Sequence, residues 1–244
     1  MGGMQSTPHL ARKVVAELVG TAFLLMAVVG SGIMATRLSP DDVGLQLLQN
    51  SVATGAALVA LILALQPVSA AFNPVVTLVE RALGLIRTLD AAVLIAAQVV
   101  GGTVGVMLAN LMFDLDAVTL STKERAGTGL WIAEVIATLG LVLIIFGSVR
   151  ADRSRTVAFA VGGYITAAYW FTSSTSFANP AVTIARMFSD TFAGIAPANV
   201  AMFIAMQLLG GAIAVVLVRV LYPERQRALV AAGDDAPAGD GARP

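Results

Sequence analysis

The chain has 244 residues, of which 57% are hydrophobic and only 12% are charged, and its mean hydropathy is +0.85. Soluble domains carry about 25% charged residues, so this composition excludes an ordinary soluble enzyme and indicates a membrane protein. The 15 basic and 15 acidic residues cancel without forming a basic run, which argues against a nucleic-acid partner, and the absence of cysteine excludes disulfides and thiol chemistry.

Charged residues divide the chain into six apolar runs. In chain order, the runs cover residues 14–36, 43–79, 91–113, 126–149, 156–185 and 191–218. A spanning helix needs about 20 residues, so four of these runs predict one helix each. The second and fifth runs contain 37 and 30 residues, which is too long for one span and too short for two.

Each of the two long runs contains an Asn-Pro pair near its C-terminal end, Asn73-Pro74 in the first and Asn179-Pro180 in the other. Asparagine is a strong N-cap and proline suits the first helical position. Each run therefore predicts a full helix, then a loop that re-enters the membrane, then a short helix at 74–83 or 180–188. The predicted fold class is an all-α membrane protein with six transmembrane helices and two re-entrant half-helices.

The same pattern predicts a leader at residues 1–11, a membrane domain at 12–222 and a disordered tail at 223–244, where Asp, Ala, Gly and Pro dominate. Six spans place both ends of the chain on one side of the membrane. That side carries eleven of the 15 Lys and Arg residues and the other side carries four. By the positive-inside rule, both termini are predicted to be cytoplasmic.

The membrane domain is an internal duplication, with one repeat at about 12–113 and another at about 126–222. An intramembrane glutamate, an Asn-Pro pair and a Gln-x-x-Gly-Gly sequence recur in the same order, at offsets of 106 to 117 residues. The paired positions are Glu17 and Glu134, Asn73 and Asn179, and Gln98 and Gln207. Because three spans are an odd number, the repeats must cross the membrane in opposite senses. Such inverted repeats place a working site at the midplane.

The two half-helices predict a narrow polar path where their N-termini meet. Each N-terminus carries roughly half a positive charge, and Asn73 and Asn179 can offer amide donors to a lumen. The segments before them, 70–72 and 175–177, are predicted to run extended and to present carbonyl oxygens to the path. Neutral hydrogen-bonding solutes can follow such a path, whereas cations and protons meet an electrostatic barrier.

The two motifs, Asn73-Pro74-Val75 and Asn179-Pro180-Ala181, on three-span repeats resemble those of the major intrinsic protein family, the aquaporins and glycerol facilitators. The resemblance covers residues 12–222. It implies an aquaporin-like channel domain with one pore per protomer, a homotetramer, and a location in the plasma or inner membrane.

The resemblance also implies a selectivity filter formed by Thr54, Ala167, Ser176 and Val182. Family members usually carry arginine where this chain has Val182. With four small residues and no aromatic or cationic one, the filter is expected to be wider than that of a strict water channel. The pattern resembles the branch of the family that passes arsenite and similar neutral metalloid hydroxides. Arg186 lies one helical turn deeper and is not assigned the role of the missing arginine.

Glu17 and Glu134 are ionisable groups within spans and are therefore candidates for function. A structural role is favoured over proton transfer. Each carboxylate is expected to accept hydrogen bonds from backbone N–H groups of a re-entrant loop, within about 3.2 Å, and so to hold the carbonyl oxygens in place.

The function predicted from these features is passive passage of water, glycerol-like polyols and neutral metalloid hydroxides across the lipid bilayer. The alternatives are a strict water channel and a non-conducting structural protein on the same fold. An ion channel or coupled transporter needs further charges along its path, and none lies in the second or fifth run. An enzyme is not expected, because the chain has no cysteine, its single histidine, His9, precedes the first run, and no Ser-x-x-Lys or paired-Asp arrangement appears within the runs. No metal or cofactor is expected.

Overall fold

The structure, a computed structural model, describes residues 9–223, and over this range it contains eight α-helices and no β-strand. They are α1 (Leu10–Leu38), α2 (Val43–Leu65), α3 (Pro74–Ala82), α4 (Thr88–Met112), α5 (Thr128–Arg150), α6 (Val157–Phe171), α7 (Pro180–Arg186) and α8 (Pro197–Leu221). The helix α1 begins at Leu10, within the predicted leader at 1–11. Most of that leader and nearly all of the predicted tail, residues 1–8 and 224–244, lie outside the described residues.

Five helices of the described range are long and apolar enough to cross a membrane: α1, α2, α4, α5 and α8. The helix α6 has 15 residues, which corresponds to about 22 Å at 1.5 Å per residue, and it is shorter than the other five. The fifth apolar run forms a helix, a loop and a short helix in the predicted order, but its first helix, α6, is shorter than the full span that was predicted.

The two short helices start at the predicted residues because the Asn-Pro pairs cap them. The side-chain oxygen of Asn73 accepts a hydrogen bond from Val75 N–H at 2.9 Å, and that of Asn179 accepts one from Ala181 N–H at 3.0 Å. Proline occupies the first position of each helix. Both helices end before the predicted residues 83 and 188. Gly84, with φ of +77°, follows the end of α3 in a left-handed conformation.

Equivalent helices of the two halves pack in the same way. The first helix of each half packs on the third, α1 on α4 and α5 on α8, and α2 packs on α6 between the halves. Each short helix also contacts the third helix of the opposite half, α3 with α8 and α7 with α4. The outer faces expose large apolar side chains, among them Val15, Phe23, Val100, Ile132 and Val216. A lipid environment accommodates such faces, whereas water does not.

Glycines allow the first and third helices to approach closely. A Cβ atom on Gly101 or Gly105 of α4 would lie 2.2 Å from a backbone oxygen of α1, that of Leu18 or Ala22. In the second half, a Cβ on Gly210 of α8 would lie 2.5 Å from Val135 O of α5. These distances leave no room for a side chain.

The Gly105→Ala variant is therefore expected to be destabilised by about 1–3 kcal/mol, the usual cost of overpacking a well-packed contact. The matched control is Gly163→Ala in α6, because nothing lies within 4 Å of a Cβ atom at that position. Thermal unfolding of the purified variants in detergent tests this. Equal midpoints for the two variants would contradict the close approach of α1 and α4.

Candidate pore

A cavity of about 320 Å³ lies between the two halves of the bundle. The start of α1 defines the proximal end of the bundle, and the end of α1, where Arg37 contacts Phe113, defines the distal end. Lys13, Gln66 and Glu80 line the cavity toward the proximal end. The wall continues past both capping asparagines toward the distal end. There it is formed by Thr54, Tyr169, Ser176, Val182 and Arg186.

Asn73 and Asn179 line the middle of the cavity, and each is bonded to the loop of the opposite half. The Nδ2 atom of Asn73 donates to Ala178 O at 2.8 Å, and that of Asn179 donates to Phe72 O at 2.7 Å. Each amide nitrogen carries two N–H groups. One is therefore committed to protein, and one per asparagine is left for a solute.

The loops before the two asparagines are not extended, in contrast to the prediction. Phe72, Thr175, Ser176 and Ala178 have φ values of 47°, 61°, 51° and 48°, which is the left-handed region. This conformation is costly for residues other than glycine. It allows the N–H of Phe72 to face Glu17 while its carbonyl faces Asn179.

The prediction that residues 70–72 and 175–177 present carbonyl oxygens to the path is fulfilled in part. Ala70, Ala71, Phe72, Ser176 and Phe177 line the cavity, and Thr175 does not. Within residues 9–223, the carbonyl oxygens of Ala70, Ala71, Ser176 and Phe177 accept no hydrogen bond from protein. They are therefore free to accept hydrogen bonds from a solute or from water.

Glu17 is fully buried and is surrounded by hydrogen-bond donors of the first loop. Its two oxygens accept from Ala71 N–H at 2.9 Å and from Phe72 N–H at 2.7 Å. The Ser69 hydroxyl and the Gln98 amide, at 2.9 Å for the latter, complete the set. Four donors compensate for the removal of this carboxylate from water.

Glu134 occupies the equivalent place in the second half and is equally buried. It accepts from Phe177 N–H at 3.0 Å, from Ala178 N–H at 2.9 Å and from the Gln207 amide at 2.6 Å. The hydrogen bonds from loop N–H groups that the sequence analysis expects are thus present in both halves.

Three of the four residues assigned to the filter line the distal part of the cavity, and the fourth does not. Thr54, Ser176 and Val182 are buried in its wall. Ala167 is exposed on the outer surface of α6, and its assignment is wrong. Helical residues are 100° apart, so the face of α6 that lines the cavity at Ile165 and Tyr169 turns Ala167 away.

The sequence analysis expects a distal wall without aromatic or cationic residues. The structure instead places Tyr169 and Arg186 in that wall. The hydroxyl oxygens of Tyr169 and Thr54 lie 3.2 Å apart and share a hydrogen bond. The Arg186 side chain is 2% exposed and lies with its guanidinium carbon 3.5 Å from the centre of the Phe177 ring. Its Nε atom donates to Ala193 O.

A second buried arginine, which sequence reasoning missed, lies close to Arg186. Arg125, in the connection between α4 and α5, donates to Gly194 O at 2.8 Å and lies 4.9 Å from the Phe177 ring centre. Burial lowers the pKa of Arg125 to about 10, so it is charged at neutral pH. Burial and the neighbouring Arg125 and Arg186 charges lower the pKa of Lys123 to about 8. Two buried arginines, Arg125 and Arg186, thus lie against the Phe177 ring at the distal end.

Comparison with known proteins identifies a matching family and related chains. The model of the family "Major intrinsic protein" matches residues 4–158 and 152–240. The chain is 49% identical over 218 residues to "Aquaglyceroporin AqpS" of Rhizobium meliloti (strain 1021), covering 88% of this chain and 93% of the relative. It is 28% identical over 189 residues to "Aquaporin NIP2-1" of Arabidopsis thaliana, covering 72% and 65%.

Among solved structures, the aquaglyceroporin from Plasmodium falciparum superposes on this chain with a TM-score of 0.67, over 91% of this chain and 99% of the other. The sequence identity is 18%, so this likeness shows the fold alone.

The family match covers most of the chain, and the 49% identical relative is covered over nearly its whole length. The resemblance inferred from the paired Asn-Pro motifs is therefore confirmed, as is the expectation of a membrane protein that is not an enzyme. The chain belongs to the major intrinsic protein family, whose members are membrane channels.

Proposed function

We propose that this protein is a passive channel for small uncharged solutes: water, glycerol-like polyols and neutral metalloid hydroxides such as undissociated arsenous acid. The observation that carries the proposal is the cavity wall around Asn73 and Asn179, where each asparagine keeps one N–H without a protein partner. Donors here and free carbonyl oxygens along both loops suit a solute whose hydroxyl groups both donate and accept.

The membrane arrangement that we propose has six crossings and two half-helices in inverted repeats, with both termini in the cytoplasm. We propose that the protein forms a homotetramer in the plasma or inner membrane. The common packing of the two halves supports the repeat. For α6, the residues of the short 3₁₀ turn at Ser154–Thr156 extend its length toward that of a span. The excess of Lys and Arg at the proximal end supports the orientation.

The size of the solute is argued from the distal wall. Val182 offers neither a hydrogen-bond donor nor a charge, and the 49% identical relative is described as an aquaglyceroporin. These two observations favour passage of three-hydroxyl solutes. Tyr169 and Arg186 are larger than the residues expected there and favour the rival proposal, a strict water channel.

Stopped-flow light scattering on proteoliposomes tests the proposal and separates it from its rivals. Vesicles that contain the protein are expected to shrink in a glycerol or arsenous acid gradient and then to reswell faster than empty vesicles. Accelerated water flux without accelerated reswelling supports the strict water channel. Water and solute fluxes equal to those of empty vesicles support a structural protein.

The Val182→Arg variant is expected to lower glycerol and arsenous acid flux by at least about tenfold, equivalent to about 1.4 kcal/mol of barrier, and water flux by much less. The added side chain narrows the path and places a second guanidinium one turn from Arg186. Val182→Leu is the matched control, because it adds volume without charge or donors. An unchanged ratio of glycerol to water flux in the Arg variant would refute the wide filter.

A further inference from the structure

We propose that Glu80 and Lys13 form a solute-binding site at the proximal end of the cavity. The Glu80 carboxylate accepts hydrogen bonds from the hydroxyl groups of a neutral solute, and the Lys13 ammonium group donates to one of its oxygen atoms. The ligand class is a small uncharged molecule with several O–H groups, either a polyol or a metalloid hydroxide. This inference rests on the proposed channel function and assigns that channel a binding site remote from the distal wall.

The first observation is that both side chains line the cavity without a protein partner. They are partly buried and of opposite charge. Within residues 9–223, neither side chain forms a hydrogen bond, and their charged groups lie more than 4.0 Å apart. The two groups are nevertheless close enough to interact electrostatically. The space between them belongs to the cavity and is available to a solute.

The second observation is that the protein surrounds Glu80 unfavourably. Glu80 lies in the last turn of α3, where the helix dipole is negative, and the buried Glu17 carboxylate adds a like charge nearby. Glu17 accepts from four protein donors, whereas Glu80 has none within residues 9–223. A carboxylate that is partly removed from water without donors is costly. Molecules in the cavity must therefore supply the donors that the protein does not.

The third observation is the place of Glu80 in the repeat. Glu80 follows Asn73 by seven residues, as Arg186 follows Asn179 by seven, and both charged side chains line the cavity. A carboxylate only accepts hydrogen bonds, and a guanidinium only donates them. Equivalent positions of the two short helices thus present groups of opposite hydrogen-bonding character. The proximal end is the one that favours solutes with donors.

The strength of a carboxylate as an acceptor indicates which hydroxyl groups bind best. A hydrogen bond to an ionised acceptor is about twice as strong as one between neutral groups. The hydroxyl groups of arsenous acid are more acidic than those of glycerol and are therefore better donors. The free carbonyl oxygens of Ala70 and Ala71 line the same cavity and can accept from a further hydroxyl group. We expect the site to hold arsenous acid more tightly than glycerol.

Chemical labelling of the purified native protein in detergent tests binding directly. A water-soluble carbodiimide with a small amine converts accessible carboxyl groups to amides, and mass spectrometry measures the rate at Glu80 and Glu124. Glu124 is exposed in the connection between α4 and α5 and is the control within the same sample. Because the chain has no cysteine, arsenous acid has no thiol to react with.

Arsenous acid is expected to slow the labelling of Glu80 at least about threefold, the protection reached when its concentration is about twice the dissociation constant. Glycerol at the same concentration is expected to slow it less, and neither solute is expected to protect Glu124.

Water flux into proteoliposomes tests the roles of the two side chains. With arsenous acid at equal concentration on both sides, a bound solute obstructs the path, so the concentration that halves the water flux measures affinity. Glu80→Gln is expected to raise this concentration about fivefold, because the amide loses the charge and one acceptor. Lys13→Met is expected to raise it less, and Glu80→Asp to stay near the native value. Glu124→Gln and Arg12→Met are the matched controls, because both residues are exposed and lie outside the cavity.

Equal labelling of Glu80 with and without arsenous acid overturns the inference, as does a Glu80 that is not labelled even without solute. An unchanged half-blocking concentration in folded Glu80→Gln also overturns it. Failure of the proposed function is a different result: the native protein then passes neither glycerol nor arsenous acid. Labelling needs no transport, so protection of Glu80 in the native protein and its loss in Lys13→Met still decide whether the site exists.

Discussion

The Asn179→Ala variant is expected to lose at least about nine-tenths of its solute flux, a tenfold change worth about 1.4 kcal/mol of barrier, and to be less stable. The substitution removes the cap of α7, worth about 0.5–2 kcal/mol. It also leaves Phe72 O without its donor at membrane depth, at a cost of about 1–3 kcal/mol. Flux of glycerol and water into proteoliposomes, with the protein amount equalised, measures the effect.

Asn179→Asp separates the two roles of this side chain. Aspartate keeps an oxygen that caps α7 but has no N–H for Phe72 O or for a solute. It is expected to fold better than Asn179→Ala and to conduct as poorly. The equivalent changes at Asn73, which donates to Ala178 O, are expected to give the same order. A well-folded Asn179→Ala protein with near-native flux would refute the pore.

The second large effect is expected for Glu134→Gln. The carboxylate accepts from two loop N–H groups and from Gln207 through both of its oxygens. Glutamine offers one oxygen and one NH₂ group, so at least one donor faces another donor. Each donor left unpaired costs about 1–3 kcal/mol. The variant is expected to show a lower thermal midpoint in detergent and little flux.

Two further variants show whether the effect belongs to the buried site. Glu17→Gln changes the equivalent carboxylate, with four donors around it, and is expected to behave like Glu134→Gln. Glu124→Gln is the control, because Glu124 is exposed in the connection between α4 and α5. Equal thermal midpoints for all three variants would show that these carboxylates do not support the loops.

The start of each short helix could be predicted because its cause is local. The asparagine oxygen bonds to N–H groups two or three residues ahead, and the proline that follows fits the first position. The two glutamates could be predicted for a related reason. A carboxylate within a span needs donors, and the unpaired backbone of a re-entrant loop supplies them.

The residues of the distal wall could not be predicted, because they depend on the rotation of α6 about its axis and on contacts between segments far apart in the sequence. The resemblance assigned Ala167 by alignment of spacing with the family, but spacing does not give the rotation of α6 about its axis. The rotation of α6 then brings Tyr169 to the cavity. Arg125 reaches the ring of Phe177 from a connection with no periodic pattern, through contacts with residues 49 and 69 positions away.

The crossed bonds of the two asparagines also set an order of assembly during synthesis. The carbonyl oxygen of Phe72 has no donor until Asn179 is synthesised, 107 residues later in the chain. Synthesis of that segment takes about 5–20 s at ribosomal rates of about 5–20 residues per second. Glu17 precedes Phe72 by 55 residues and is present when that loop is made. The N–H side of the first loop can therefore pair as it emerges, whereas its carbonyl side cannot. A nascent chain halted before residue 179 keeps an unpaired carbonyl and an unpaired Asn73 amide in the bilayer, so the second repeat completes the folding of the first.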